Sequence, residues 1–145
     1  MKIGAIIQAR TSSTRVPGKI LKELPYGSGI TVLKQVVNRL KKSKKLNEII
    51  IATTKEKEDN KIINIVKKED VKCFRGSKEN VLSRYYFAAK ENNLDIIVRV
   101  TSDCPCIDAD ITDLTIDDHI NKMADYTTNS LVKNFHIKTM RICSN

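Results

Sequence analysis

The sequence lacks any CxxC pair and any paired zinc-ligand spacing, although it holds four cysteines, Cys73, Cys104, Cys106 and Cys143. Two thiolates in Cys104-Pro105-Cys106, with no adjacent histidine, make a poor tetrahedral metal site. A signal-peptide pattern is missing too, because Met1-Lys2 leads only into a short apolar run containing Gln8. No apolar run approaches the width of a bilayer. The expectation is a cytoplasmic protein with reduced thiols and no membrane partner. Neither GxGxxG nor GxxxxGK[ST] occurs, which excludes the commonest glycine-rich phosphate loops. Internal repeats and low-complexity tracts are absent.

Acids are scarce in one place. Residues 1–50 hold eleven Lys/Arg against two Asp/Glu, whereas residues 51–145 hold fifteen of each. The whole formal charge of +9 therefore resides in the first third of the chain. A basic protein suggests nucleic acid in general, but seven of these eleven cations fall in two local sets. Lys41, Lys42, Lys44 and Lys45 fall at a predicted helix end, where the helix dipole favours cations. Arg10, Arg15 and Lys19 fall in one loop. No nucleic-acid partner is expected.

A chain of 145 residues has room for one domain with a real core. Its pattern alternates strand and helix. Residues 3–9 read as a buried strand, and 31–43 as a helix capped by Ser28 or Thr31, with Val32, Leu33, Val36, Val37 and Leu40 inward. Strand 49–53 precedes a helix near 58–69 with Ile62, Ile63, Ile65 and Val66 inward. Strand 71–74 leads to Ser77, a candidate cap for a helix over 78–92 that buries Val81, Leu82, Tyr85, Tyr86 and Ala89. Strand 95–101 comes next, then an acidic helix opened by Asp108 or Asp110, and a fifth strand near 125–128. The alternation predicts an α/β layered domain with a mostly parallel sheet over 1–130. Residues 131–145 have neither period and read as an irregular tail. His119, in a helix among acids, reads as a surface residue, and His136 lies in the tail.

Two loops carry chemistry. The first, Gln8 to Lys19, follows an apolar strand and combines Arg10, Arg15 and Lys19 with the neutral donors Ser12, Ser13 and Thr14. Arginine offers a planar fork for two phosphate oxygens, and lysine a compact charge that can follow a moving phosphate. The second loop places Asp103 just past the fourth strand. In a parallel sheet both fall on the carboxyl edge, where ligands bind. A carboxylate facing a triphosphate cradle is repulsive unless a cation lies between, and Mg²⁺ commonly takes one or two carboxylates plus phosphate oxygens and water. Two blander accounts compete. The arginines could pair with the surplus acids of 103–118 at the surface, and Asp103 could only form a turn.

Ile6 to Leu21, IIQARTSSTRVPGKIL, resembles the opening signature of the cytidylyltransferases that activate acidic sugars, above all the spore-coat polysaccharide branch, and also CMP-Kdo synthetases and acylneuraminate cytidylyltransferases. Further matches keep the family order: Ile51-Ala52-Thr53-Thr54, Phe74-Arg75-Gly76-Ser77, Asn80 to Tyr86, Arg99 to Pro105, and Ile107-Asp108. The resemblance implies a Rossmann-like sugar-nucleotide transferase fold. It implies transfer of CMP from CTP to a sugar acid with release of pyrophosphate, in surface polysaccharide synthesis. By position, Ala9, Arg10, Ser13, Arg15, Lys19, Arg75, Ser77 and Thr101 would bind nucleotide. Arg10, Lys19 and Asp103 would be catalytic, with Asp103 on Mg²⁺. A homodimer is left open. Family members are longer, and their second half supplies a sugar-binding lobe, so the C-terminal part of the family fold is expected to be missing here. Alternatives are a nucleotidyltransferase using another triphosphate or a sugar phosphate, and a non-catalytic nucleotide- or anion-binding remnant.

Overall fold

The protein is described from a computed structural model, which covers residues 1–13, 16–129 and 141–144. Its regular elements are β1 (Ile3–Gln8), α1 (Val32–Leu40), β2 (Glu48–Thr54), α2 (Asn60–Glu69), β3 (Lys72–Gly76), α3 (Val81–Glu91), β4 (Ile96–Thr101), α4 (Ala109–Asn121), β5 (Tyr126–Thr128) and β6 (Arg141–Ser144). They build one six-stranded sheet in the order β3-β2-β1-β4-β6-β5. The first four strands are mutually parallel, and β6 runs antiparallel to both β4 and β5.

Alternation along the strands sorts side chains to two faces. Ile3, Ala5 and Ile7 of β1 meet Leu33, Val36, Val37 and Leu40 of α1, Ile62 and Val66 of α2, and Ile116 of α4. On the opposite face Ile6, Ile50 and Ala52 pack under Tyr85, Ala88 and Ala89 of α3, with Leu94 beside them. Gly4 is required there, because a Cβ would sit 2.4 Å from Leu94 Cδ1. Helix α3 lies over β1, β2 and β3. On the same side of the sheet, Ile97 of β4 packs against this cluster, and Arg99 of β4 lies over the Tyr85 ring of α3.

The caps explain the helix starts. Thr31, Asn80 and Asp108 each accept a hydrogen bond from the backbone N–H three residues on. Ser77 was the expected cap of the third helix. Its hydroxyl instead accepts from the Asn80 N–H, and the helix begins later, at Val81. Three further expectations are corrected. Leu82 and Tyr86 are exposed, because they lie on the flank of α3 that faces past the sheet region it covers. His119 is buried, at 1% exposure, with Nδ1 and Nε2 within hydrogen-bond distance of Thr127 Oγ1 and Ser144 Oγ. Arg141–Ser144, read as irregular, form β6 inside the sheet, where Ile142 fills the core under α4. Four residues are too short to display a period. Residues 131–140, including His136, lie outside the described residues.

Candidate active site

The first loop leaves β1 at the carboxyl edge of the sheet, and an acid holds its start. Asp59 Oδ1 accepts from the Thr11 N–H at 2.8 Å and from Thr11 Oγ1 at 2.7 Å, while Oδ2 accepts from Thr54 Oγ1. Burial would push this carboxyl up, but the hydrogen bonds from Thr54 and Thr11 outweigh it and hold the pKa below the usual carboxylate range. The loop's far end is a short 3-10 turn, Lys19–Leu21, entered through Gly18 at φ 64. Ile20 of this turn is buried in the core, which turns Lys19 back toward the sheet edge.

There Lys19 meets the second loop. Its Nζ donates to Asp103 Oδ2 at 2.5 Å, with the two side chains 33% and 30% exposed. A cavity of about 250 Å³ opens around the pair, lined also by Gln8, Arg10, Ser13 and Thr101. Arg10 is exposed and makes no ion pair among the described residues. One guanidinium, one ammonium, the hydroxyl residues Ser13, Thr101 and Ser102, and one carboxylate thus line one space at the strand ends. Such a donor set suits a multiply charged oxyanion.

The expected residues divide into four groups. Arg10, Ser13, Lys19, Thr101 and Asp103 share the cavity. Ala9 is fully buried at the end of β1, with its N–H donating to Ala52 O, so its side chain meets no solvent. Arg15 lies outside the described residues. Arg75 and Ser77 are not in this cavity. The Arg75 guanidinium is taken up by Thr54 O, Asn60 Oδ1 and Glu56 O at 2.9, 2.9 and 3.0 Å, and so pins the β2–α2 connection that carries Asp59. Ser77 offers its carbonyl to Arg84.

Asp59 and Arg84 were missed by the sequence reading. Asp59 resembles any acid before a helix, and only its contacts 48 residues back reveal the loop anchor. Arg84 is fully buried on α3 and donates from Nη1 to Ser77 O and Lys78 O. Burial pushes its pKa down, and the nearby Arg10 charge adds to that effect.

Among the described residues Asp103 is the one carboxylate lining the cavity, and none of them form a cluster of three His, Cys, Asp or Glu able to grip a metal. This donor set fits a magnesium ion that arrives with phosphate oxygens and water, not a metal caged by protein alone.

Open parallel sheets with an anion cradle beside an acid at the strand ends define a nucleotide-handling α/β protein. The comparisons agree. Residues 4–140 match the family described as "Cytidylyltransferase". A solved cytidylyltransferase from Leptospira borgpetersenii superposes with a TM-score of 0.90 at 42% identity, covering 99% of this chain and 60% of that one. The chain is 36% identical over 126 residues to the spore coat polysaccharide biosynthesis protein SpsF of Bacillus subtilis, covering 84% of this chain and 51% of the relative. It is 34% identical over 118 residues to a 3-deoxy-manno-octulosonate cytidylyltransferase of Geobacter metallireducens, covering 80% and 44%. The fold is the Rossmann-like fold of nucleotidyltransferases. The chain belongs to the cytidylyltransferase family, and it spans about half the length of the curated relatives it matches.

Proposed function

We propose that this chain carries the nucleotide-binding part of an enzyme that transfers CMP from CTP to an acidic sugar, releasing pyrophosphate, for surface polysaccharide synthesis. The observation that carries this reading is the cavity in which Lys19 pairs with Asp103 beside Arg10. The likeness to a spore coat polysaccharide protein and to a cytidylyltransferase for an acidic sugar supports the substrate class.

Arg10 supplies a fork for two phosphate oxygens, and Lys19 a compact charge on the loop. In this reading Lys19 leaves Asp103 when the triphosphate enters, exchanging one carboxylate for phosphate oxygens. Asp103, freed of Lys19, would be the residue that holds Mg²⁺. When bound, Mg²⁺ would neutralise charge on the departing pyrophosphate. A hydroxyl oxygen of the sugar attacks the α-phosphorus in line, a P–O bond forms, the bond to pyrophosphate breaks, and the hydroxyl proton is lost to solvent. The protein's part is positioning and fixed charge, which carry most of the catalysis in phosphoryl transfer. Ser13 and Thr101 line the same cavity as neutral hydrogen-bonding groups. Among the described residues no helix is long and apolar enough to cross a membrane.

The test is pyrophosphate release from CTP with Mg²⁺ and a panel of sugar acids, beside calorimetric CTP binding. Turnover that Lys19→Ala removes is the expected result. CTP binding without turnover would favour a binding role alone, and preference for another triphosphate would overturn the assignment of the base.

A further inference from the structure

The loop that carries Asp103 also carries two thiols that do not line the nucleotide cavity. Cys104 and Cys106 flank Pro105 immediately after Asp103. The segment makes two tight turns. The Cys104 N–H donates to Thr101 O at 3.3 Å, and the Ile107 N–H donates to Cys104 O at 3.1 Å. Beyond them Ile107 is buried in the core and Asp108 caps α4, so the second turn is held at its far end.

The two sulfurs face different surroundings. Cys104 is buried, at 7% exposure, with Sγ 2.9 Å from Thr101 Oγ1. Cys106 is exposed. Two residues of extended chain span about 7 Å at most. A turn shortens that span, which brings the Cα atoms of Cys104 and Cys106 into the range a disulfide needs, about 4.4–6.8 Å.

Strand geometry keeps the other two cysteines away. Cys143 of β6 stands opposite Ile97 of β4, at the far end of that strand from Thr101. The stretch from Ile97 to Thr101 is about 13 Å long at the usual rise per residue. Cys73 of β3 is separated from β4 by β2 and β1, about 14 Å at the usual strand spacing. Both lie beyond the reach of a bridge. Each thiol of the pair therefore has the other as its intramolecular partner.

Position gives the pair its leverage. Thr101, Ser102 and Asp103 line the nucleotide cavity, and Asp103 holds Lys19. A disulfide brings its two sulfurs to about 2 Å. Cys104 Sγ has to leave Thr101 to meet its exposed neighbour, and the backbone beside Asp103 has to move with it.

We propose that Cys104 and Cys106 form a reversible oxidative modification site, in which peroxide closes a disulfide that displaces Asp103 in the nucleotide cavity. The thiol pair stands on its own geometry, whereas its effect on nucleotide rests on the nucleotidyl-transfer reading above. In the first step the accessible Cys106 sulfur attacks a peroxide oxygen, the O–O bond breaks, and water leaves with the thiol proton, giving a sulfenic acid. In the second, the Cys104 sulfur attacks the Cys106 sulfur. An S–S bond forms, the S–O bond breaks, and a second water leaves with the Cys104 proton. The two thiols together lose two electrons, and one peroxide is reduced to two waters. A bridge that must bend its own loop is readily reduced again, as suits a transient, sensing disulfide.

The test treats the full chain with hydrogen peroxide and reverses it with dithiothreitol. Trypsin cuts after Arg99 and Lys122, so one peptide, residues 100–122, carries Cys104 and Cys106 and no other cysteine. After peroxide that peptide should be lighter by two hydrogens and should resist alkylation, and reduction should restore both properties. Hydrogen exchange of the Cys104 amide should quicken in the oxidised chain. Calorimetric binding of CTP with Mg²⁺ should weaken about tenfold or more, the size of one lost contact to a charged group, and should return with dithiothreitol. Cys106→Ser should bind CTP within about twofold of the parent and keep that affinity through peroxide. The inference is overturned if the peptide stays a dithiol or only gains oxygen, or if the bridge closes while CTP affinity holds. It is equally overturned if Cys106→Ser loses affinity to peroxide as the parent does. A reduced chain that binds no CTP would overturn the nucleotidyl reading, and the peptide mass and the exchange of the Cys104 amide would then decide the modification alone.

Discussion

Asp59 and Thr11, 48 residues apart, are joined twice: one carboxylate oxygen accepts both the Thr11 N–H and the Thr11 hydroxyl, at 2.8 and 2.7 Å. The link ties the β2–α2 connection to the start of the cationic loop. Thr54 Oγ1 donates to the second oxygen, so the carboxylate is satisfied although buried. The geometry of the loop thus depends on an acid that touches no part of the cavity.

Replacing Asp59 by alanine leaves three donors without their acceptor. Hydrogen bonds to a charged group are worth about 1.5–3 kcal/mol each, with overlap between them, so a loss of about 3 kcal/mol in unfolding free energy is expected. Urea denaturation measures it. CTP affinity should fall as well, because Arg10 and Lys19 lose their shared frame. Unchanged stability would refute the anchoring role.

The same residue sets an acid limit. The folded pKa of Asp59 lies below its ordinary value of 3.8, so the unfolded chain takes up the proton first. Its stabilisation is complete above the unfolded pKa and is lost as pH falls through the folded one. His119 adds a separate window. Burial pushes its pKa below 6.5, so the folded protein resists a proton that the unfolded chain accepts, and stability declines as pH drops below about 6.5. Melting temperature against pH should show both limbs. His119→Gln should flatten the upper one, and Asp59→Asn the lower one.

Lys19 and Asp103 are each about one-third exposed, so their pair contributes little to the fold, about 0–1 kcal/mol. Lys19→Ala should unfold at nearly the parental urea concentration while losing more than about tenfold in CTP affinity. Asp103→Asn should behave differently. Removing the carboxylate lifts its repulsion of the triphosphate, so CTP binding without Mg²⁺ should be unchanged or tighter. The gain that Mg²⁺ brings should disappear, and isothermal titration with and without the metal distinguishes the two effects.

Gly4→Ala should destabilise through packing alone. The new methyl would lie 2.4 Å from Leu94 Cδ1 and 2.7 Å from Cδ2. Leu94 is buried beside a central strand and has little room to withdraw. Overpacking of this kind costs about 1–3 kcal/mol. The losses from Gly4→Ala and Leu94→Ala should be less than additive in the double variant, and additive losses would refute the clash.

Much of this architecture was legible in the residues. The helical spacing of Leu33, Val36, Val37 and Leu40, with Thr31 ahead of them, marks α1 and its buried face, as found. The apolar runs of β1, β2 and β4 mark strands buried on both faces, and their alternation with helices implies parallel pairing. Leu82 and Tyr86 show where that logic stops. Apolar spacing identifies a helix face but not how far the sheet beneath it extends, and α3 overhangs the region it covers. His119 was misplaced for a related reason: it sits among acids on α4, but its own partners, Thr127 and Ser144, come from other strands.

By itself, the sequence determined the strand–helix alternation, the family, and the two loops whose opposite charges had to meet at one sheet edge. These are local properties, set by side-chain periodicity, capping and short motifs. Only the tertiary structure decided that Lys19 takes Asp103 directly, that Asp59 and Arg75 brace the loop from behind, and that Arg99 faces Arg141 across two strands. Each of those relations joins residues tens of positions apart. Strand register and sheet order bring them together, and neither is written in any single stretch of the chain.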